Sequence, residues 1–426
     1  MRKFLFLMVI LFGFNLSNGN AQDDLEPFLS FNGMFDLRMG VRTQEDPHEK
    51  DMSLGEFRLQ LETEKDFDLV TFNVATDFIL DPILDEYEVD LERGDGIIDL
   101  RQMNIIFSPL DFMDVKLGRQ ILTWGTGDLL FINDLFAKDW NSFLIGRDEE
   151  YLKAPTDAVQ LSLFSDRINM NLVYVPKFGA DRFVDGRRVS FFDPLAASLR
   201  GRNRPLEVNR PDKWFQDDEL AIRLYRSFAA YEVALYYYSG FWKSPAGQYI
   251  ISAKATFPAL EAFGASIRGP WADGIGNVEI GYYKSETGAA KNPLIRNSEF
   301  RFLVGYEREI ATELTLSLQY NLERNLDYMD YLQNLPQSVL REDKARHVVT
   351  VRLTKLLMQQ NLSLSLFNFY SPSDEDGFLR MNISYKISDA IKVESGSNIF
   401  YGKNQESFYA QFRNNSNIFA AIRYEY

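Results

Sequence analysis

The chain reads as an all-β protein, a transmembrane antiparallel β-barrel of about 18 strands, and three observations lead there. Polar and apolar residues alternate with a period of two over stretches of about nine to eleven residues, many times over. Aromatic residues make up 14% of the chain, with 35 Phe and 21 Tyr, although 25% of residues are charged and the mean hydropathy is −0.24. Short turn-like links also take turns with long polar segments, the pattern of a barrel with short turns at one end and long loops at the other.

The first residues form an export signal. Arg2 and Lys3 precede an apolar run from Phe4 to Phe14, and Gly19-Asn20-Ala21 offers small residues for cleavage after Ala21. The apolar run is too short to span a bilayer as a helix. Residues 1–21 are therefore a predicted signal peptide and 22–426 a single barrel domain. No long apolar stretch follows, so helical spans are excluded.

The clearest strand is Glu313 to Glu323, with Leu314, Leu316, Leu318, Tyr320 and Leu322 on one face and Thr315, Ser317, Gln319 and Asn321 on the other. Phe35, Leu37, Met39 and Val41 oppose Asp36, Arg38 and Arg42. Phe57, Leu59 and Leu61 oppose Glu56, Arg58, Gln60 and Glu62. Leu379, Met381, Ile383 and Tyr385 oppose Arg380, Asn382, Ser384 and Lys386, and the chain ends with Ile418, Ala420, Ile422, Tyr424 and Tyr426 on one face. The polar faces carry both signs of charge, which suits a hydrated lumen. The apolar faces would meet lipid, where charge is costly.

Short links fall near 66–68, 108–111, 165–167, 310–311, 356–357 and 388–389. Long polar segments fall at 81–98, 125–155, 178–217, 241–259, 285–297, 323–345 and 402–415. The expected number of strands is eighteen, with sixteen acceptable.

A net charge of −15 argues against nucleic acid as a partner. The absence of cysteine excludes disulfides and thiolate metal sites. Only His48 and His347 are present, with no nucleophile, base and orienter together, so no catalytic residue, cofactor or metal is assigned. The expected location is the bacterial outer membrane, with its lipid and lipopolysaccharide as partners. The expected function is passage of a polar, perhaps anionic, small solute. The alternatives are export of an acidic polysaccharide, an anionic polymer, and a closed structural or binding barrel.

The stretch Lys116-Leu-Gly-Arg-Gln-Ile-Leu-Thr-Trp-Gly-Thr-Gly-Asp128 resembles the Gly-Arg-Gln…Trp-Gly element of alginate-export-type outer-membrane porins. Segments 264–270, 276–283, 297–309, 398–402 and 423–426 are similar to that superfamily as well. The resemblance implies an eighteen-strand pore with both termini periplasmic. It also implies that Tyr424 and Tyr426 form the terminal tag read by the barrel-assembly machinery. The acidic balance of this chain departs from the alginate exporters.

Candidate pore-lining residues are Arg38, Arg58, Lys116, Arg119, Gln120, Arg301 and Arg352. Strict alternation would put Arg119 on the lipid face with Val115 and Leu117, at a cost of about 2–4 kcal/mol near the midplane. Either a bulge at Gly118 turns it inward, the preferred reading, or it lies near the membrane surface. Segment 125–155 can fold into the pore as a constriction carrying Asp128, Asp134, Lys138 and Arg147, anchored by Leu129, Leu130, Phe131, Trp140 and Phe143. An outer loop is the competing reading. Acidic segment 81–98 reads as a solvated loop. Arg200, Arg202, Arg204 and Arg210 form a basic patch, read either as a draw for an anionic solute or lipopolysaccharide phosphates or, equally, as a plain solubilising surface.

Overall fold

The computed structural model describes residues 30–426 apart from 86, 195, 249–253, 287, 289–290 and 337–340. The signal-peptide assignment at 1–21 lies outside the described residues. Residues 31–426 form one compact unit.

Alternating sequence becomes wall. The barrel strands are β1 (Asn32–Arg42), β2 (Met52–Phe67), β3 (Val70–Leu80), β4 (Ile98–Leu110), β5 (Met113–Ile121) and β6 (Pro155–Leu163). Next come β7 (Asn169–Val175), β8 (Glu219–Phe228), β9 (Tyr231–Phe241), β10 (Ala259–Trp271), β11 (Gly274–Ser285) and β12 (Glu299–Ala311). The last six are β13 (Leu314–Asn325), β14 (Ala345–Leu357), β15 (Leu362–Ser371), β16 (Asp376–Lys386), β17 (Ile391–Gly402) and β18 (Asn417–Glu425). Each pairs antiparallel with its sequence neighbours in one 18-stranded sheet. β1 pairs with both β2 and β18, from Met34↔Glu425 to Arg42↔Asn417, so the sheet closes and no edge is left.

The two faces sort by polarity in the sense opposite to a soluble barrel. Leu37, Met39 and Val41 on β1 and Ile418, Ile422 and Tyr424 on β18 are exposed to the outside. Asp36, Arg38, Glu56, Arg58, Asp77, Asp99 and Arg101 are buried on the inside. Aliphatic carbon on the outer wall is stable only against lipid. Phe67, Phe112, Phe164, Phe228, Tyr231 and Trp271 are exposed at the tight-turn end, where an aromatic girdle would meet head groups. Tyr424 and Tyr426 stand there too, with ring centroids 6.5 and 5.5 Å from Phe35.

Sequence reading missed the tight turns at 229–230 and 272–273. Ala229 (φ 53°), Ala272 (φ 44°) and Asp273 (φ 62°) adopt the left-handed conformation that hairpin turns require. Alanine gives no signal of that conformation, because its Cβ disfavours it. On the opposite end the link 372–375 is as short as a hairpin.

Two apolar clusters lie in the long-loop half of the barrel. One joins Phe143, Leu144 and Ile145 of loop 122–154 to Phe367, Phe369, Phe378 and Phe400 of β15–β17. The other joins Leu122, Ile132 and Phe136 to Tyr238, Tyr283 and Leu303 on the far wall.

Candidate functional site

Loop 122–154 folds into the barrel and is tied to strands on every side of it. Helix α1 (Trp140–Ile145) gives it a stiff middle. Asp139 caps the helix by accepting from Ser142 N at 2.8 Å, and Gly146 ends it in the left-handed conformation (φ 96°). The Phe143 ring lies edge-on to Phe369 and Phe378 at 6.3 and 5.3 Å. Leu129, Leu130, Phe131 and Trp140 pack against the same cluster.

Polar ties complete the crossing. On β11 the buried Glu279 carboxylate accepts from Thr126 N and Oγ1, from Gly127 N (2.9 Å) and from Asn133 N and Nδ2 (3.2 and 2.8 Å). On β13 Gln319 accepts from Asp128 N and donates to its carbonyl, both at 2.9 Å. Arg352 on β14 bridges Asp128 at 2.8 Å and Glu149 at 2.9 Å. Arg380 on β16 donates to the Arg147 carbonyl (3.1 Å), Asn417 on β18 to that of Leu144 (3.1 Å), and Arg38 on β1 to that of Gly146 (3.0 Å). Arg147 reaches Glu56 on β2 at 2.7 Å, and Arg101 on β4 donates to the Lys153 carbonyl at 2.9 Å. The loop thus narrows the lumen.

The wall under the loop is a lattice of paired charges. Asp36 lies between Arg38 (3.2 Å) and Arg423 (3.1 Å), and Arg38 also reaches Glu394 (2.7 Å). Arg58 joins Glu56 (2.6 Å) to Asp77 and stacks over the Tyr151 ring at 4.1 Å. Arg182, from loop 176–218, bridges Asp99 at 2.7 Å. Buried charges persist in folded proteins where each has a partner, and removing one partner strands the other.

Of the candidate pore residues, Arg38, Arg58 and Arg352 meet this network. Arg301 is apart from it, held by Glu299 at 2.8 Å and by the Tyr283 ring at 4.1 Å. Lys116 and Gln120 share the inward face of β5, paired in register with Gln160 and Thr156. Gln120 is fully buried and donates to the Ala158 carbonyl at 3.0 Å.

Arg119 does not point inward. Its register partner Asp157 has a side chain 59% exposed and shares its face with the exposed Val159. Gly118 does take φ +116°, yet the pairing stays in step through it, so the faces are not exchanged. Arg119 is outward, near the long-loop end of β5. It bonds Asp157 (3.2 Å) and the carbonyls of Leu100 (2.6 Å) and Leu91.

Within the loop, Asp128 and Arg147 reach the wall. Asp134 and Lys138 bond one another at 2.9 Å and are almost wholly buried, so they belong to the loop's own structure rather than to a passage. Sequence reasoning missed Glu279, Arg380, Arg101 and Arg423. Each sits on a polar strand face, but nothing local distinguishes a residue that meets a loop from one that meets water.

Asp128 gives the site a pH response. Burial raises its carboxyl to about 6, against the pull of Arg352. Because the folded value lies above the ordinary one, this group favours the fold below about pH 4 and loses that contribution as pH rises through 6. Acid therefore does not unfold the loop through Asp128; it neutralises Asp128 and leaves Arg352 one partner fewer. Anion preference measured by reversal potential is expected to rise as pH falls from 7.5 to 5, and Asp128→Asn should flatten that step. A step unchanged in D128N would refute the assignment.

No family model matches the chain, and no curated protein does. Solved structures do. Acinetobacter baumannii OccAB4 matches with a TM-score of 0.59 at 10% identity, over 95% of this chain and 100% of that one. A BenF-like porin from Pseudomonas fluorescens Pf-5 matches at 0.56 and 10%, over 93% and 98%. Pseudomonas aeruginosa OccK11 matches at 0.52 and 10%, over 93% and 95%. At such identity the likeness lies in the fold, and the closed 18-strand barrel described here has the fold of outer-membrane porins.

Proposed function

We propose that this protein is an outer-membrane channel for a small polar solute, with a preference for anions set where loop 122–154 crosses the lumen. The crossing loop is the observation that carries the reading. A wall that is apolar outside and charged inside supports a hydrated passage through lipid, and a loop tied to strands all round it supports a narrow one. The same ties speak against a passage wide enough for the acidic polysaccharide that a likeness to alginate-export-type porins suggests.

The anion preference rests on charge accounting along the lumen wall. Asp36, Glu56, Asp77, Asp99 and Glu394 are each engaged by an arginine. Arg380 has one nitrogen on a carbonyl and another, Nη1, buried without a protein partner. Lys116 forms no ion pair among the described residues. The charge of these two cations favours anions, set against Glu279, a buried carboxylate at the same loop held by N–H groups and a hydroxyl rather than by a cation.

Purified protein in planar bilayers should show stepwise ion current, and an intact barrel that passes none would be the closed alternative. Lys116→Glu should leave assembly intact and move the reversal potential in a salt gradient towards cation preference. An unmoved potential would remove Lys116 from the passage.

A further inference from the structure

The outward Arg119 has a consequence beyond the passage. The β6–β7 ladder runs only from Val159↔Tyr174 to Leu163↔Met170, although β6 begins at Pro155. Pro176 follows β7 and has no N–H to continue the ladder, and loop 176–218 turns away. The β7-side edge of Pro155–Ala158 is therefore left without a strand partner. A shallow cleft, open to solvent, occupies the gap, lined by Glu92, Arg119, Asp157, Lys177, Arg210 and Trp214 among others.

Three cations and two carboxylates line this cleft. Lys177 (2.5 Å) and Arg210 (2.9 Å) share the single carboxylate of Glu92, and Arg119 holds the exposed Asp157. The nearby acids are engaged elsewhere. Asp217 accepts from the N–H groups of Asp212 and Lys213, and Asp218 accepts from the Tyr174 hydroxyl. Trp214 is 56% exposed beside the cleft and Phe215 is 70% exposed next to it, as suits side chains at head-group level.

We propose that this cleft binds the phosphate of a phosphorylated glycolipid of the surrounding leaflet. Lys177 and Arg210 supply charge-assisted donors, and Trp214 lies against the sugar or acyl base. The phosphate completes the charge that Glu92 alone cannot balance. This reading needs the barrel in a membrane but no ion current, so a failed conductance experiment leaves it standing and its own failure leaves the channel standing.

The test uses the full-length protein in detergent micelles doped with bis-phosphorylated lipid A or with the same lipid dephosphorylated. Bound lipid is read by native mass spectrometry. The phosphorylated form should be retained about tenfold better, and K177A/R210A should bring the two within about twofold. Lys355→Ala, on the far wall, controls for general loss of charge and should keep the preference. Heat-modifiable migration confirms that each variant is folded. A double variant that keeps the native preference overturns the site. Inorganic phosphate displacing lipid A completely at equal phosphate concentration overturns the lipid as its ligand.

Discussion

Glu279→Ala is expected to detach one end of the crossing loop and open the passage. The Glu279 carboxylate has no cationic partner among the described residues; it is held by four backbone or side-chain N–H groups and one hydroxyl of Thr126, Gly127 and Asn133. Removing an acceptor that buried donors converge on leaves them unpaired, at about 1–3 kcal/mol for each that water cannot reach. A net loss of about 3 kcal/mol would raise the population of the detached loop by about two orders of magnitude. The dry cluster around Phe143 holds the other end, so the barrel itself should still assemble. Hydrogen exchange should accelerate at residues 126–133 and not in α1, and single-channel conductance should rise. If exchange at 126–133 stays at the native rate, Glu279 is not the anchor.

Arg58→Ala is expected to damage the barrel rather than its selectivity. Arg58 is 2% exposed, and it holds two carboxylates, Glu56 and Asp77, that lie equally deep. Loss of one partner from a buried ionic group costs about 3–5 kcal/mol, because the stranded charges cannot reach water. Glu56 keeps Arg147, whereas among the described residues Asp77 keeps only the amide of Gln60 at 2.9 Å. The sharpest result is therefore expected from rescue. R58A should lower the midpoint of thermal unfolding in micelles, and Asp77→Asn added to it should recover much of the loss. A single variant as stable as the native protein would show that the triad is well hydrated and open to the passage. The contrast with Lys116 is the point of the pair, since an unpaired lumen cation acts on ions and a paired one on the fold.

The lattice of buried charges also explains why total charge says little about the solute. Much of the inner wall is neutral by pairing, as at Arg38 and Arg423 with Asp36 and Glu394. The ions left over, not those present, decide the potential along the passage.

Legibility differed between the wall and what fills it. Period two placed Asp36, Arg38 and Arg58 inside and Leu37 and Leu379 on the opposite face, because side chains on a strand have no other choice. It held at the end of β5 as well, where the bulge expected at Gly118 did not exchange the faces. Arg119 obeyed the alternation that had seemed too costly, since near the rim its guanidinium finds the carbonyls of Leu91 and Leu100 and never meets hydrocarbon. Asp134 and Lys138, chosen for a constriction, are four residues apart and satisfy each other.

The sequence by itself determined a closed antiparallel wall, its lipid and lumen faces, and a loop apolar enough to come inside, because each follows from local periodicity and composition. Only the tertiary structure decided which charges remain free and where the loop is held. Those depend on pairs such as Thr126 with Glu279 and Arg38 with Glu394, far apart in the chain and brought together by closure of the barrel. Alternation says that a residue faces the lumen, and only the fold says whether it meets a partner, a loop or water.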